Sequence, residues 1–301
     1  RRIIDTRSWP LRADLIVFDE IHKMKKWKGY IKGIYDSKTE NQHILVTASA
    51  RLETFRQTGE SLAGRYYHLR LLPISVKEAV DTNSPYDTIE RLNLLGGFPE
   101  PFLSNSEEQA ARWRNQYYTD LIREDILEFS RIHEINAMKT LLELLRHRTG
   151  APLSYNSLSE DLHVAPNTVK KYIQILESLY IIFRIYPYHR NIARSIQKEA
   201  KLYFFDTGLI PFNEGTRFEN TCAVCLLKHI NYLQDAKGKD IQLQYIRTKE
   251  GKEIDFVIVE KQQPIFLLEV KLSDPQPSNT LDRFSKKFPS ARSIQLVHNL
   301  R

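Results

Sequence analysis

Residues 252–271, KEIDFVIVEKQQPIFLLEVK, decide how the last third of this chain folds. From Ile254 to Val259 the run is β-branched and aromatic, Lys261 to Pro264 has turn character, and Ile265 to Val270 repeats the first pattern, which predicts a hairpin. Asp255 falls on the first strand. Glu269 and Lys271 stand two apart on the second, so the pleat points them to one face. Two hard oxygen ligands beside one ammonium are what a site needs to hold Mg²⁺ and activate a water next to a phosphodiester. The competing reading is an edge hairpin with a surface Asp and a Glu/Lys cross-strand pair. Both acids lie between apolar neighbours, which favours a site.

The arrangement resembles the PD-(D/E)xK nuclease superfamily, with Lys252-Glu253-Ile254 where the Pro of that name would stand. The resemblance implies that Asp255 and Glu269 bind the metal and that Lys271 orients or polarises the attacking water. It also implies a further acid on the preceding helix, and Glu219 in RFENTCAVCLLKHI (217–230) occupies that place.

The chain has 301 residues, enough for two or three domains. Hydrophobic residues make up 42% and the mean hydropathy is -0.44. No apolar run approaches the ~18 residues of a membrane span, so the expectation is a soluble chain with no membrane partner. A net charge of +7 and a pI of about 9.2 point to an acidic partner, nucleic acid first. Two cysteines, Cys222 and Cys225, are too few for a disulfide framework and fit a reducing, cytoplasmic setting. With His229 they give a C-x2-C-x3-H spacing. That spacing is one face of a helix among Val224, Leu226 and Leu227, so helix packing is expected rather than zinc.

Residues 1–80 alternate strand and helix patterns. Leu15–Phe18 reads as a strand buried on both faces of a parallel sheet and ends in Asp19-Glu20. A helix is predicted over 26–35, a second buried strand over Ile44–Thr47 and a third strand over Tyr66–Leu72. Four apolar residues followed by Asp-Glu form the Walker B pattern, in which the Asp supports Mg²⁺ and the Glu positions or deprotonates water. The longer runs LIVFDEIHKMKKWKGYIKGIYD (15–36), HILVTASARL (43–52) and LAGRYYHLRLLPISVKEA (62–79) resemble AAA-type ATPases of bacteria and archaea that carry a C-terminal domain of unknown function. That resemblance implies Walker B roles for Asp19 and Glu20. It further implies γ-phosphate sensing by Ser49, in Ala48-Ser49-Ala50 where the family usually has Gly-Ser-Ser, and an arginine near the phosphates at Arg65. No GxxxxGK[ST] occurs. The phosphate-binding loop is therefore expected to precede Arg1, with ATP and its Mg²⁺ bound only when that half is present. The start at Arg1 without a charged-then-apolar leader gives no sign of a signal peptide and suggests N-terminal truncation. The resemblance also allows a homo-oligomer.

A turn-rich stretch at Asp81–Pro85 marks a boundary. LLGGFPEPFL (94–103) follows, then a long helix over Glu107–Phe129 with Trp113, Tyr117, Leu121 and Ile122 on one face; both resemble the family's connector. From Ala137 the pattern is a helix (MKTLLELLRHR, 138–148), a short helix over Ser157–His163, a turn at Val164–Asn167, and a helix over Thr168–Leu179 capped by Asn167 or Thr168. With Ile181–Tyr186 as a wing, this predicts a winged helix in which Asn167, Thr168, Lys170, Lys171 and Gln174 reach DNA. A protein-binding or spacer role is the alternative. A stripe of Arg184, His189, Arg190, Arg194, Lys198 and Lys201, interleaved with Tyr186 and Tyr188, could track a phosphate backbone, and a solvated loop is its alternative. KLYFFDTGL (201–209) reads as a strand ending at Asp206.

The predicted class is thus α/β multidomain. The C-terminal half of a P-loop ATPase sheet spans 1–80, a helical connector 81–136, a winged helix-turn-helix 137–190, and a PD-(D/E)xK-like α/β domain 191–301. The leading functional expectation is a DNA-associated ATPase fragment. A Mg²⁺-dependent endonuclease and a non-catalytic DNA- or protein-binding regulator are the alternatives.

Overall fold

The computed structural model describes residues 13–21, 24, 26–48, 62–79, 84–127, 132–189, 199–248 and 250–299, with side chains for all of these except 122–127 and 132–135. Contacts divide the chain into residues 1–68 and 69–301.

In the first unit β1 (Leu15–Phe18) and β2 (His43–Val46) pair in parallel, Leu15 opposite His43 and Phe18 opposite Val46. Helix α1 (Trp27–Ser37) joins them and buries Trp27, Ile31 and Ile34, one helical stripe, against Ile16 and Phe18. Only that face is covered among the described residues. Leu15 is 55% exposed and Val17 53%, so β1 alternates instead of being buried on both sides.

The second unit is a mixed α/β body. Its helices are α2 (Val76–Ala79), α3 (Pro85–Leu95), α4 (Pro99–Ser104), α5 (Glu107–Leu127), α6 (Ile132–Arg146), α7 (Tyr155–Leu162), α8 (Pro166–Ser178), α9 (Glu214–Lys237) and α10 (Asn279–Lys287). Its strands are β3 (Ile182–Pro187), β4 (Lys201–Phe204), β5 (Ile241–Arg247), β6 (Glu253–Glu260), β7 (Gln263–Lys271) and β8 (Arg292–Val297). They form one sheet in the order β4-β3-β5-β6-β7-β8. β3 pairs antiparallel with β4 and parallel with β5, and β7 pairs parallel with β8. The β6–β7 hairpin turns at Lys261-Gln262, both at positive φ, the conformation that matches strand twist in a two-residue turn. Ala223 and Val224 of α9 pack on one face of the sheet, and Leu281 and Phe284 of α10 pack on the other.

Three local expectations change. The predicted wing, β3, is an interior strand of the six-stranded sheet, so a boundary at 190/191 would cut between two strands of one sheet. The cause is a strand pair apolar on both faces. Ile182, Leu202 and Phe204 bury among α6, α7 and α8, while Phe183, Ile185 and Tyr203 bury beneath α9. Tyr66–Leu72 forms no strand; the Arg70 N–H and guanidinium both donate to Asp235 of α9, and Leu72 is buried. Helix α8 begins at Pro166, with Ala165 as its cap and no side-chain cap bond. A proline's fixed φ suits the first helical position, so Asn167 and Thr168 already lie in the first turn.

Candidate functional site

Lys201 opens β4 and is 1% exposed. Its ammonium lies 3.4 Å from Glu219 of α9 and 3.7 Å from Asp255 of β6, and it pairs directly with Glu253 of β6. The Tyr203 hydroxyl donates to Glu219 at 2.7 Å, Arg247 reaches Glu253 at 3.2 Å, and the Val270 N–H donates to Asp255 at 2.9 Å. Burial pulls the Lys201 pKa down, but the charges of Glu219, Asp255 and Glu253 outweigh it and hold the pKa above the ordinary value. Burial, and then the charge of Glu219, pushes Asp255 up to about 6 against the pull of Lys201 and the Val270 N–H.

An irregular register aims Asp255 into this cluster. Gln244 pairs with Val257 and Ile246 with Ile254, so β6 carries one more residue than β5 across that interval. A bulge of this kind re-aims side chains. Phe256 and Ile258 pack toward α9 and Ile254 and Val257 toward α10, and Asp255 turns toward α9 beside Phe256. β6 and β7 stop pairing at Phe256–Leu268. Beyond that point the Asp255 carboxylate, in place of a strand carbonyl, satisfies the Val270 N–H.

Glu269 and Lys271 are together on β7, 2.7 Å apart, as their spacing predicts. They occupy the other face. Leu268 and Val270 pack toward α9, so Glu269 shares the side of Leu267 and α10, where it accepts from Ser278, the cap of α10. The four expected nuclease residues thus fall into two groups: Glu219 and Asp255 around Lys201, and Glu269 with Lys271. Burial pulls the Lys271 pKa down, but Glu269, and after it the charge of Asp255, hold it above the ordinary value.

This arrangement does not fit the Mg²⁺ that the nuclease resemblance implies. Lys201 stands among the carboxylates on one side, and Lys271 and Ser278 hold Glu269 on the other. No group of three or more His, Cys, Asp or Glu side chains among the described residues is placed to hold a metal ion. Cys222 and Cys225 pack into separate apolar clusters while His229 is exposed.

The stripe also changes. Lys201 is internal, and Arg184 makes a bidentate pair with Glu177 and donates to Tyr155. Arg190 and Arg194 lie outside the described residues, as does Ser49. Sequence reading placed Lys201 in a basic stripe that could track a phosphate backbone, with a solvated loop as the alternative, and gave Glu253 no role. The available signals were Lys201 opening the apolar run LYFF and Glu253 standing two residues before Asp255.

In the first unit Asp19 follows β1 and accepts a short hydrogen bond from Thr47, which follows β2. Glu20 has a φ of 51°, a left-handed conformation costing an L-residue about 1–2 kcal/mol. Arg65 pairs with Asp36 at 3.0 Å. On α8, Val169, Tyr172, Ile173 and Leu176 are buried, whereas Asn167, Lys170, Lys171 and Gln174 are exposed and Thr168 is half-buried.

Residues 2–80 match the AAA domain family, residues 86–217 a domain of unknown function (DUF8612), and residues 214–300 another domain of unknown function (DUF4143). An uncharacterized protein of Mycobacterium tuberculosis is 26% identical over 198 residues, 66% of this chain and 44% of its own length. One from Methanocaldococcus jannaschii is 23% identical over 89% of this chain and 63% of its own length. One from Haemophilus influenzae is 22% identical over 88% of this chain and 68% of its own. The chain therefore spans less than half the length of the mycobacterial relative it matches. No solved structure matches it significantly. No helix among the described residues is long and apolar enough to cross a membrane.

Proposed function

We propose that this chain is the nucleic-acid-engaging part of an AAA-type ATPase. In this reading α6–α8 are a winged-helix reader whose wing has been absorbed into the sheet, and α9 with β5–β8 is a nuclease-like scaffold that holds the reader in place without cutting. Asp19, fixed by Thr47, would hold the Mg²⁺ that accompanies ATP, and Glu20 would take the proton of the attacking water. ATP and Mg²⁺ are cofactors of the protein that includes the phosphate-binding loop, and DNA is the partner.

The observation that carries the reading is the outward face of α8. Asn167, Lys170, Lys171 and Gln174 recur at helical spacing after a short turn from α7, opposite a fully buried stripe. Polar and cationic side chains on the leading turns of such a helix are what base edges and phosphates require.

The test is fluorescence anisotropy of a labelled duplex between 50 and 200 mM KCl. Affinity should fall with salt, and Lys170→Ala/Lys171→Ala should flatten the log–log slope by about 2, near 0.9 for each phosphate no longer neutralised. An unchanged slope in the folded double variant would remove the reader from α8.

A further inference from the structure

We propose that Lys201 is a built-in cation: its ammonium takes the place of a divalent metal among Glu219, Glu253 and Asp255, so the sheet domain keeps a nuclease-like carboxylate cluster permanently closed to metal.

The geometry is that of an ammonium site. A lysine has three N–H donors, and three carboxylates from two elements surround this one, on Glu219 of α9 and on Glu253 and Asp255 of β6. The Tyr245 ring lies 5.6 Å from the same nitrogen, a cation–π distance. Two of the three nitrogen–oxygen separations are 3.4 and 3.7 Å. Magnesium needs six oxygens at about 2.0–2.1 Å, and a side chain already fills the centre where they would have to meet.

Each carboxylate also has a protein donor besides Lys201. Glu219 accepts from Tyr203 as well as Lys201, Glu253 accepts from Arg247 and forms an ion pair with Lys201, and Asp255 accepts from the Val270 N–H with the Lys201 ammonium 3.7 Å away. The side chains of Glu219, Glu253 and Asp255 stay 25%, 22% and 19% exposed, so solvent reaches the oxygens that the protein leaves unpartnered and none needs an ion to be buried. Lys201 cannot swing out readily, because Leu202 and Phe204 anchor its strand in the helical core and Tyr203 anchors it beneath α9. The same lysine thereby fastens β4 to both α9 and β6.

The experiment is a Mn²⁺ titration by calorimetry, with the bound-ion signal read by electron paramagnetic resonance, on the whole chain and its folded variants. Wild type should take up no Mn²⁺ that Asp255→Asn removes, a control that separates this cluster from any ion held at Asp19. Lys201→Met should gain a site binding Mn²⁺ at least about tenfold more tightly than wild type, a difference of ~1.4 kcal/mol. The gain should vanish in Lys201→Met/Asp255→Asn. Stoichiometric wild-type binding lost in Asp255→Asn or Glu219→Gln overturns the proposal, as does a folded Lys201→Met that gains nothing. Should Lys201→Met fail to fold, Lys201→Gln replaces it and the wild-type titration decides by the same criterion.

Discussion

Replacing Gly96 with alanine should be among the most damaging single changes in the second unit. Gly96 ends α3 at a φ of +79°, and a Cβ built there collides with Asp206 Oδ1, 3.1 Å from Asp206 Cγ and 3.4 Å from the Gly208 nitrogen. Asp206 is completely buried, accepts from the Gly208 N–H at 3.0 Å, and lies 3.9 Å from Arg114. Arg114 in turn donates to the Leu95 carbonyl at 2.9 Å. With ψ at 174° this backbone lies in a region essentially restricted to glycine, which costs an alanine about 1–3 kcal/mol. Displacing the carboxylate costs the hydrogen bond of a charged group, about 1.5–3 kcal/mol. The sum is about 2.5–6 kcal/mol, or roughly 5–24 °C of Tm for a unit this size. Gly238→Ala is the control, since its φ is +63° and nothing lies within 4 Å of the added methyl; it should cost about 1–2 kcal/mol. Thermal and urea unfolding of both variants beside wild type would measure the difference. If Gly96→Ala lowers stability no more than Gly238→Ala, the Gly96–Asp206–Arg114 knot does not exist as described.

Asp206 gives a pH prediction. Burial, opposed chiefly by Arg114, raises its pKa to about 6, against about 3.9 in an unfolded chain. An acid with a raised folded pKa binds more protons when folded, so its contribution falls as pH rises from about 4 to 6. Relative to Asp206→Asn, wild type should gain about 2–3 kcal/mol as pH drops from 7 to 4, read from urea midpoints; a constant difference would contradict the burial. Arg184→Ala removes a bidentate partner of Glu177 and the donor to Tyr155 that together tie β3 to α8 and α7, and should cost about 2–4 kcal/mol in chemical unfolding. In the protein that carries the phosphate-binding loop, Glu20→Gln should slow steady-state ATP hydrolysis by about 10²-fold or more while retaining nucleotide binding; unchanged turnover would take Glu20 out of the chemistry.

Where apolar period and turn chemistry act within a few residues, the sequence was sufficient. The β6–β7 hairpin, the strands ending at Asp19 and Thr47, α1, α8 and the pairing of Glu269 with Lys271 were all legible, because a pleat or a helical turn places neighbours by covalent geometry alone. What the sequence could not supply was which faces meet. The extra residue in β6 turns Asp255 toward α9 and away from Glu269, and a bulge leaves no local mark in a run of Ile, Phe and Val. Lys201 read as part of a surface basic stripe because charge is read residue by residue. Only packing two-sided apolar strands between the helical core and α9 carried it inside, where three acids from distant positions make its burial tolerable.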